Sequence, residues 1–219
     1  MTIKEFVSRI KSISYKHWAM LLYFPVYLVC FAYLEKHYSG QLHYLTLSVD
    51  YMIPFVEVFI IPYFLWFLFI AAAVAYFLLY EREGYVSLMI FLCTGMTVFL
   101  IVSAVYPTAL DIRPVYFERE NICTEMVRFL YSIDTPTNVF PSIHVFNSLG
   151  VCLAMRQSQL AQKKKWLVPS CYVLAGLIIL ATMFLKQHSV IDVVGACVMA
   201  RVMYPVFRTG HAVSVLERA

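Results

Sequence analysis

Apolar residues in this chain run in long, unbroken stretches rather than alternating with polar ones. A membrane's hydrocarbon core of ~30 Å needs about 20 helical residues to cross it, and six stretches reach or approach that length. They cover residues 17–34, 54–80, 85–106, 142–155, 166–185 and 188–207. Because continuous apolar runs favour helices over barrel strands, we predict an all-α, polytopic membrane protein built as a six-transmembrane-helix bundle.

The overall composition supports this prediction. The 219 residues are 62% hydrophobic and only 14% charged, whereas a soluble domain carries about 25% charged residues. So much apolar surface cannot be hidden in a soluble core of this size. The chain also lacks internal repeats and linkers rich in glycine or serine, so we predict a single membrane domain over residues 1–219.

Basic residues are distributed unevenly between the two sides of the predicted bundle. Twelve of the seventeen lysines and arginines fall on the side of the two termini, including the run at 163–165. By the positive-inside rule, both termini face the cytoplasm and the long loop 107–141 lies on the outer side of the cell membrane. Four prolines divide this loop, and we predict a short amphipathic helix within it, over residues 118–131.

Ionisable residues also occur where the last predicted span begins, in the segment "HSVID". His188 and Asp192 are four residues apart, a spacing that places two side chains on the same helix face. A carboxylate in that position can orient the imidazole and make its other nitrogen a better nucleophile. Because ionisable side chains are costly inside a membrane, the pair is a candidate functional site.

A second histidine opens the fourth predicted span. His144 follows Pro141 and Ser142, which are suited to a helix start, where free N–H groups attract anions. The predicted topology puts His144 on the same membrane face as His188 and Asp192, together with Arg113 and Lys186. A nucleophile, an orienting acid, a general acid and two cations are the parts of a phosphoryl-transfer site.

Three ordered motifs resemble those of the type 2 phosphatidic acid phosphatase superfamily, which shares its site design with the vanadium haloperoxidases. The family patterns are K-x6-R-P, P-S-G-H and S-R-x5-H-x3-D. Arg113–Pro114 matches the end of the first, "PSIH" at Pro141–His144 matches the second with Ile143 in place of glycine, and His188–Asp192 matches the end of the third. The motif region spans about residues 106–207, and the resemblance implies a bundle like the core of these enzymes.

The chain departs from the family patterns at two positions where they place cations. Tyr106 stands in place of the lysine of the first motif, and Ala181–Thr182 stands in place of the serine–arginine pair of the third. Lys186 is a candidate replacement for one of these cations. The losses resemble the branch that contains inositol phosphotransferases and proteins similar to sphingomyelin synthase.

The resemblance implies a catalytic role for three residues. His188 would attack phosphorus, Asp192 would orient it, and His144 would protonate the leaving oxygen and then activate water or an alcohol. Phosphate contacts are expected from Arg113, Ser142 and Lys186. No metal and no cofactor is implied, and the expected partners are membrane lipids and a lipid phosphate substrate, not nucleic acid.

Four functions are compatible with the sequence. The first is a lipid phosphatase that hydrolyses a lipid-linked phosphate or diphosphate through a phosphohistidine. The second is a lipid phosphotransferase that passes the phosphoryl headgroup to an alcohol. The third is a channel or transporter in which two histidines and a carboxylate bind a transition metal, although the neighbouring cations favour a phosphate instead. The fourth is a family member that has lost catalysis and binds lipid.

Overall fold

The computed structural model describes residues 3–37 and 41–208 of the chain, and helices dominate it. The sheet in this part of the chain consists of two very short strands, β1 (His43–Tyr44) and β2 (Thr108–Ala109), and a 3-10 turn covers Glu57–Phe59. The helices are α1 (Ile3–Lys11), α2 (Tyr15–Leu21), α3 (Tyr23–Lys36), α4 (Ser48–Met52), α5 (Ile60–Tyr80), α6 (Arg82–Val105), α7 (Ile122–Ile133), α8 (Ile143–Gln157), α9 (Gln159–Lys163), α10 (Leu167–Phe184) and α11 (Val190–Val202).

Four helical segments among the described residues are long and apolar enough to cross a membrane. They are Tyr15–Lys36, Glu57–Tyr80, Arg82–Val105 and Leu167–Phe184. These segments confirm the prediction of an all-α polytopic membrane protein. The predicted fourth and sixth spans are also helical, as α8 and α11, but these helices have only 15 and 13 residues.

Helix α8 lies among four other helices, because it packs against α5, α6, α10 and α11. Its contact with α6 is close: the ring of Phe146 stacks on that of Phe91, with centroids 4.5 Å apart and planes 6° apart. A Cβ atom at Gly95 of α6 would lie 2.0 Å from Cε1 of Phe146, so only glycine permits this approach. A helix enclosed in this way does not need the continuous apolar surface of a helix that faces lipid.

The first turns of α8 and α11 lie side by side, which explains why the two histidines of the motifs are neighbours. Each helix begins at a serine N-cap, Ser142 for α8 and Ser189 for α11, whose hydroxyl accepts a hydrogen bond from a backbone N–H of the first turn. The N–H of Ser142 also donates to the carbonyl oxygen of Asp192 at 3.2 Å. His144 and His188 are therefore held at the same end of the bundle.

Short stretches of extended chain fix the segment that leads into α8. Strand β1 pairs in parallel with β2, and Ala109 forms an antiparallel bridge with Thr137. The hydroxyl of Thr108 accepts hydrogen bonds from the N–H of Val139 at 3.0 Å and of Phe140 at 3.2 Å. This pairing ties the loop before the "PSIH" motif to the loop after α6.

A helix does occur within the long loop, as predicted, but its bounds differ. The predicted helix covered residues 118–131, whereas α7 runs over Ile122–Ile133. It begins later because Asn121 is its N-cap and accepts a hydrogen bond from the N–H of Thr124 at 3.0 Å. Its buried side chains, which include Leu130, pack beside α5 and the 3-10 turn.

Candidate active site

His188 and Asp192 form an ion-pair-distance contact at the start of α11. His188 lies just before the helix, ahead of its N-cap, rather than inside it as the sequence suggested. Its Nδ1 is 3.4 Å from Oδ2 of Asp192, and both side chains are buried. The same Oδ2 accepts a hydrogen bond from the N–H of Ser189 at 2.9 Å. The carboxylate therefore caps the helix and faces the imidazole at the same time.

His144 lies in the first turn of α8, among three aromatic rings. Its ring centroid is 4.7 Å from that of Tyr63 and 4.3 Å from that of Trp66, both on α5. The ring of His188 is 5.6 Å away, at an interplanar angle of 62°. The two histidines face each other across a short gap, and α5 limits how far His144 can turn.

Both histidines line a cavity of about 790 Å³. The end of the cavity at the histidines is polar, and the rest of its wall is apolar and comes mainly from α5 and α3. The polar end also includes Asp134, Asn138, Asn147 and Gln187. Its apolar wall includes Tyr27, Phe31, Phe64, Phe67, Ile70, Val74, Met96 and Phe99. The polar end of the cavity, with its two histidines, thus opens onto a space suited to hydrocarbon.

Arg113 lies next to the site without lining the cavity. Its Nη1 donates to the carbonyl oxygen of Asp134 at 2.7 Å, and its Nη2 donates to Oε1 of Gln187 at 2.5 Å. Its Cζ lies 4.5 Å from the ring centroid of Tyr131. Burial lowers the pKa of Arg113, and the nearby Asp134 carboxylate opposes this effect; a guanidinium remains protonated at neutral pH.

Asp134 has a matching change in its acidity. Burial raises the pKa of Asp134 above its usual range, and the charge of Arg113, 3.9 Å away between Nη2 and Oδ2, acts in the opposite direction. The pair lies at the polar end of the cavity, so the charge of Arg113 is already partly balanced there by a carboxylate.

Lys186 is held by backbone carbonyls rather than turned into the cavity. Its Nζ donates to the carbonyl oxygens of Asp50 at 2.6 Å and Ile53 at 2.5 Å, and its backbone has a positive φ of 54°. Burial lowers the pKa of Lys186, with the charge of Asp50 opposing the shift. The Asp50 carboxylate in turn accepts a hydrogen bond from the N–H of Val190 at 2.8 Å.

The structure thus brings His144, His188 and Asp192 together and places Arg113 beside them. Ser142 is fully buried, and its hydroxyl caps α8. The side chains of Ser142 and Lys186 therefore both have local structural partners. For these two, phosphate binding remains a prediction.

Three amide side chains at the polar end were not singled out from the sequence. Asn138, Asn147 and Gln187 are 3%, 1% and 3% exposed, and each has at least one amide atom without a hydrogen-bond partner. A signal existed for two of them. Asn147 is one helical turn after His144, and Gln187 directly precedes His188. No such signal pointed to Asn138, because the sequence predicts no particular conformation for its loop.

A channel or transporter that binds a transition metal would need several ligand side chains close together. Among residues 3–37 and 41–208, no group of three histidine, cysteine, aspartate or glutamate side chains is arranged so that it could hold a metal ion. The six cysteines are free thiols in the structure.

The fold and the site together define a polytopic helical membrane protein with two histidines and a carboxylate at one end of an apolar cavity. The family model of the PAP2 superfamily matches residues 87–212, which is more than half of the chain, and the protein belongs to this superfamily. Membership supports phosphatase-type or phosphotransferase-type chemistry in general. No curated protein and no solved structure matches the chain.

Proposed function

We propose that the protein is a membrane lipid phosphatase that hydrolyses a lipid-linked phosphate or diphosphate through a phosphohistidine intermediate. The observation that carries the proposal is the position of His144 and His188 at the polar end of an apolar cavity of about 790 Å³, with their ring centroids 5.6 Å apart. A lipid can place its phosphate at the histidines while its tail stays in apolar surroundings.

In the first step, Nε2 of His188 attacks phosphorus. Asp192 faces Nδ1 at 3.4 Å, which favours the tautomer with a proton on Nδ1 and a lone pair on Nε2. The P–N bond forms while the bond from phosphorus to the leaving oxygen breaks. His144, protonated when the phosphate anion binds beside it, gives its proton to that oxygen, and Asp192 stabilises the positive charge left on His188.

In the second step, His144 acts as a base. It takes a proton from a water molecule, whose oxygen attacks phosphorus as the P–N bond breaks. This step returns both histidines to their starting states and releases phosphate. An alcohol in place of water would give a phosphotransferase that uses the same residues, so the acceptor is a measurable outcome of the test below.

The cavity also argues for a substrate with a hydrocarbon tail. Transferring a methylene group from an apolar environment to water costs about 0.8 kcal/mol of free energy. The cavity wall is apolar over most of its surface. Activity should therefore fall steeply as the tail of the substrate is shortened. Equal turnover of glycerol phosphate and a long-chain phosphatidate would contradict this assignment.

The test is a product analysis with the full chain in mixed micelles. A panel of phosphatidate and polyprenyl diphosphate, with and without a lipid alcohol, is incubated with wild type, His188→Ala and His37→Ala. We expect phosphate release by wild type and by His37→Ala, since His37 is exposed and stacks on Tyr33. His188→Ala should be inactive but folded. Normal activity of His188→Ala would refute the mechanism.

We also propose that both termini face the cytoplasm and that the site faces the outer side of the membrane. The support is the uneven distribution of the seventeen basic residues. Glu120→Cys, in a background without Cys123, should react with an impermeant thiol reagent on intact cells, whereas Lys164→Cys should react only after lysis. The opposite labelling pattern would reverse the orientation.

A further inference from the structure

The sequence predicts that Arg113 and Lys186 bind the phosphate, but neither side chain lines the cavity. No lysine or arginine is among the described residues that line it. Arg113 lies beside the cavity without lining it: Nη1 and Nη2 donate to the carbonyl of Asp134 and to Gln187, and only its buried Nε has no hydrogen-bond partner. Lys186 donates to two backbone carbonyls. A phosphoryl group placed between the histidines would therefore need other hydrogen-bond donors.

Gln187 is oriented so that it can supply one. A guanidinium has only donors, so the amide oxygen of Gln187 must face Arg113, and Oε1 accepts from Nη2 at 2.5 Å. The amide nitrogen is then left as a donor. Nε2 is buried and has no hydrogen-bond partner, although the side chain lines the cavity next to His188. Leaving a buried donor unpaired is costly, unless a ligand accepts from it.

Asn138 repeats this situation on another segment. Its side chain is 3% exposed, lines the cavity, and leaves both Nδ2 and Oδ1 without partners. Its position is fixed from behind, because its backbone N–H donates to the carbonyl oxygen of Thr108 at 2.7 Å. Its φ of 53° is in the left-handed region, which asparagine adopts more readily than most residues.

We infer that Gln187 and Asn138 form a neutral, amide-lined subsite that binds the phosphoryl oxygens of the substrate, with Arg113 as the positioning residue that turns the Gln187 amide toward them. The inference rests on the proposed function for the identity of the substrate. Its basis is independent of that function: two buried amides on different segments, both unpaired, line the same end of the cavity as the two histidines.

The alternative is that Gln187 only serves to neutralise the donors of Arg113. The two roles predict opposite orders for two substitutions. Gln187→Glu keeps the oxygen that faces Arg113 but replaces the donor by a negative oxygen, whereas Gln187→Leu removes both groups without adding charge. If Gln187 binds the anion, the Gln187→Glu variant should have the weakest affinity for it. If Gln187 only accepts a hydrogen bond from Arg113, the Gln187→Glu variant should bind the anion like wild type, and Gln187→Leu should bind it most weakly.

The measurement is the affinity for orthovanadate, titrated by calorimetry into the full chain in detergent at pH 7.5 or above. We expect an affinity about tenfold weaker for Gln187→Leu and about a hundredfold weaker for Gln187→Glu, since each hydrogen bond to a charged acceptor is strong and the introduced carboxylate repels the anion. Asn138→Asp, which keeps the backbone preference, should also weaken binding by at least about tenfold. Gln162→Glu is the matched control, because Gln162 is exposed on α9.

The outcomes separate this inference from the proposed function. If Gln187→Glu and Asn138→Asp both bind orthovanadate like wild type, or if Leu binds worse than Glu, the amide subsite is refuted even when wild type releases phosphate from lipids. If the affinity for orthovanadate falls from wild type to Gln187→Leu to Gln187→Glu but no lipid is turned over, the subsite is supported and the phosphatase assignment fails. Wild type that binds no orthovanadate refutes the subsite.

Discussion

Two carboxylates cap short turns at opposite ends of the bundle, and their partners differ. Glu81, between α5 and α6, accepts hydrogen bonds from the hydroxyls of Tyr76 and Ser158 and from two backbone N–H groups at the start of α9. Asp192, at the start of α11, accepts from Ser189, and its Oδ1 has no partner. A carboxylate whose two oxygens both accept hydrogen bonds has a structural role. A carboxylate with an unpaired oxygen beside an imidazole can take part in a reaction.

The largest effect is expected at the site end. Asp192→Asn should lower turnover by about 10³-fold, or about 4 kcal/mol of transition-state stabilisation, because the amide no longer stabilises the imidazolium or fixes its tautomer. The asparagine oxygen can still accept from Ser189, so thermal unfolding should change little. Steady-state kinetics and a melting curve on the same sample test both parts. Intact turnover with a lowered melting temperature would make Asp192 a structural residue like Glu81.

The next effect is expected at the opposite end. Glu81→Ala should lower the free energy of unfolding by about 2–3 kcal/mol, because it leaves a tyrosine hydroxyl, a serine hydroxyl and two backbone donors without their acceptor. Turnover of the folded fraction should match wild type. Glu118→Ala, at an exposed position of the long loop, is the control for removing a carboxylate. Loss of turnover without loss of stability in Glu81→Ala would contradict the comparison.

The effect at Glu81 should depend on pH. Burial by itself would raise the pKa of Glu81, but the hydrogen bonds that its carboxylate accepts leave the pKa below the usual value. The stabilisation is then complete above the unfolded pKa of about 4.3 and is lost as the pH falls through the lower folded pKa. Wild type and Glu81→Ala should therefore differ less in stability at pH 4 than at pH 7. A difference that grows on acidification would contradict the sign of this shift.

Arg113→Lys should have a moderate effect at the site end. An ammonium on a flexible stem cannot reproduce the two directed hydrogen bonds to Gln187 and the Asp134 carbonyl, so we expect about a tenfold loss of activity. Arg119→Lys provides the control, because the side chain of Arg119 is 77% exposed. Equal activity of Arg113→Lys and wild type would show that the geometry of the guanidinium does not matter.

The smallest effect is expected from the cap of α9. Ser158→Ala removes a hydroxyl that accepts from the N–H groups of Leu160 and Ala161 and donates to Glu81. The loss should be about 1 kcal/mol in the free energy of unfolding, with no change in turnover. Ser132→Ala, on α7, controls for removal of an exposed hydroxyl. A larger loss than in Glu81→Ala would mean that Ser158, rather than the carboxylate, organises this end.

Much of the fold was predictable, because the long apolar runs and the helix start at Pro141–Ser142 carry strong local signals. The predicted spans at residues 142–155 and 188–207 are both helical: α8 has 15 residues where 14 were predicted, and α11 has 13 where 20 were predicted. The meeting of His144, His188 and Asp192 was expected from the motifs and their common membrane face. These are features of chain order and spacing, which a sequence displays directly.

Side-chain partners were less predictable. Phosphate binding by Lys186 stays a prediction, and the sequence did not indicate that its ammonium donates to the carbonyls of Asp50 and Ile53. Those carbonyls come from a segment more than 130 residues earlier, and no local pattern reveals such a contact. Gln187 was missed for the same reason, because the orientation of its amide depends on Arg113, 74 positions away. Long-range partners decide whether a polar side chain is free or occupied.

The contact of Lys186 with the α4 segment also has a consequence for biosynthesis. Asp50 and Lys186 are separated by 136 positions, and Asp50 and Val190 by 140. At roughly 5–20 residues per second, a ribosome needs on the order of ten seconds to add the second partner after the first. During that interval the carboxylate of Asp50 has neither α11 nor the ammonium beside it. The contacts that hold the segment around His188 against α4 are therefore completed only after α11 has been synthesised.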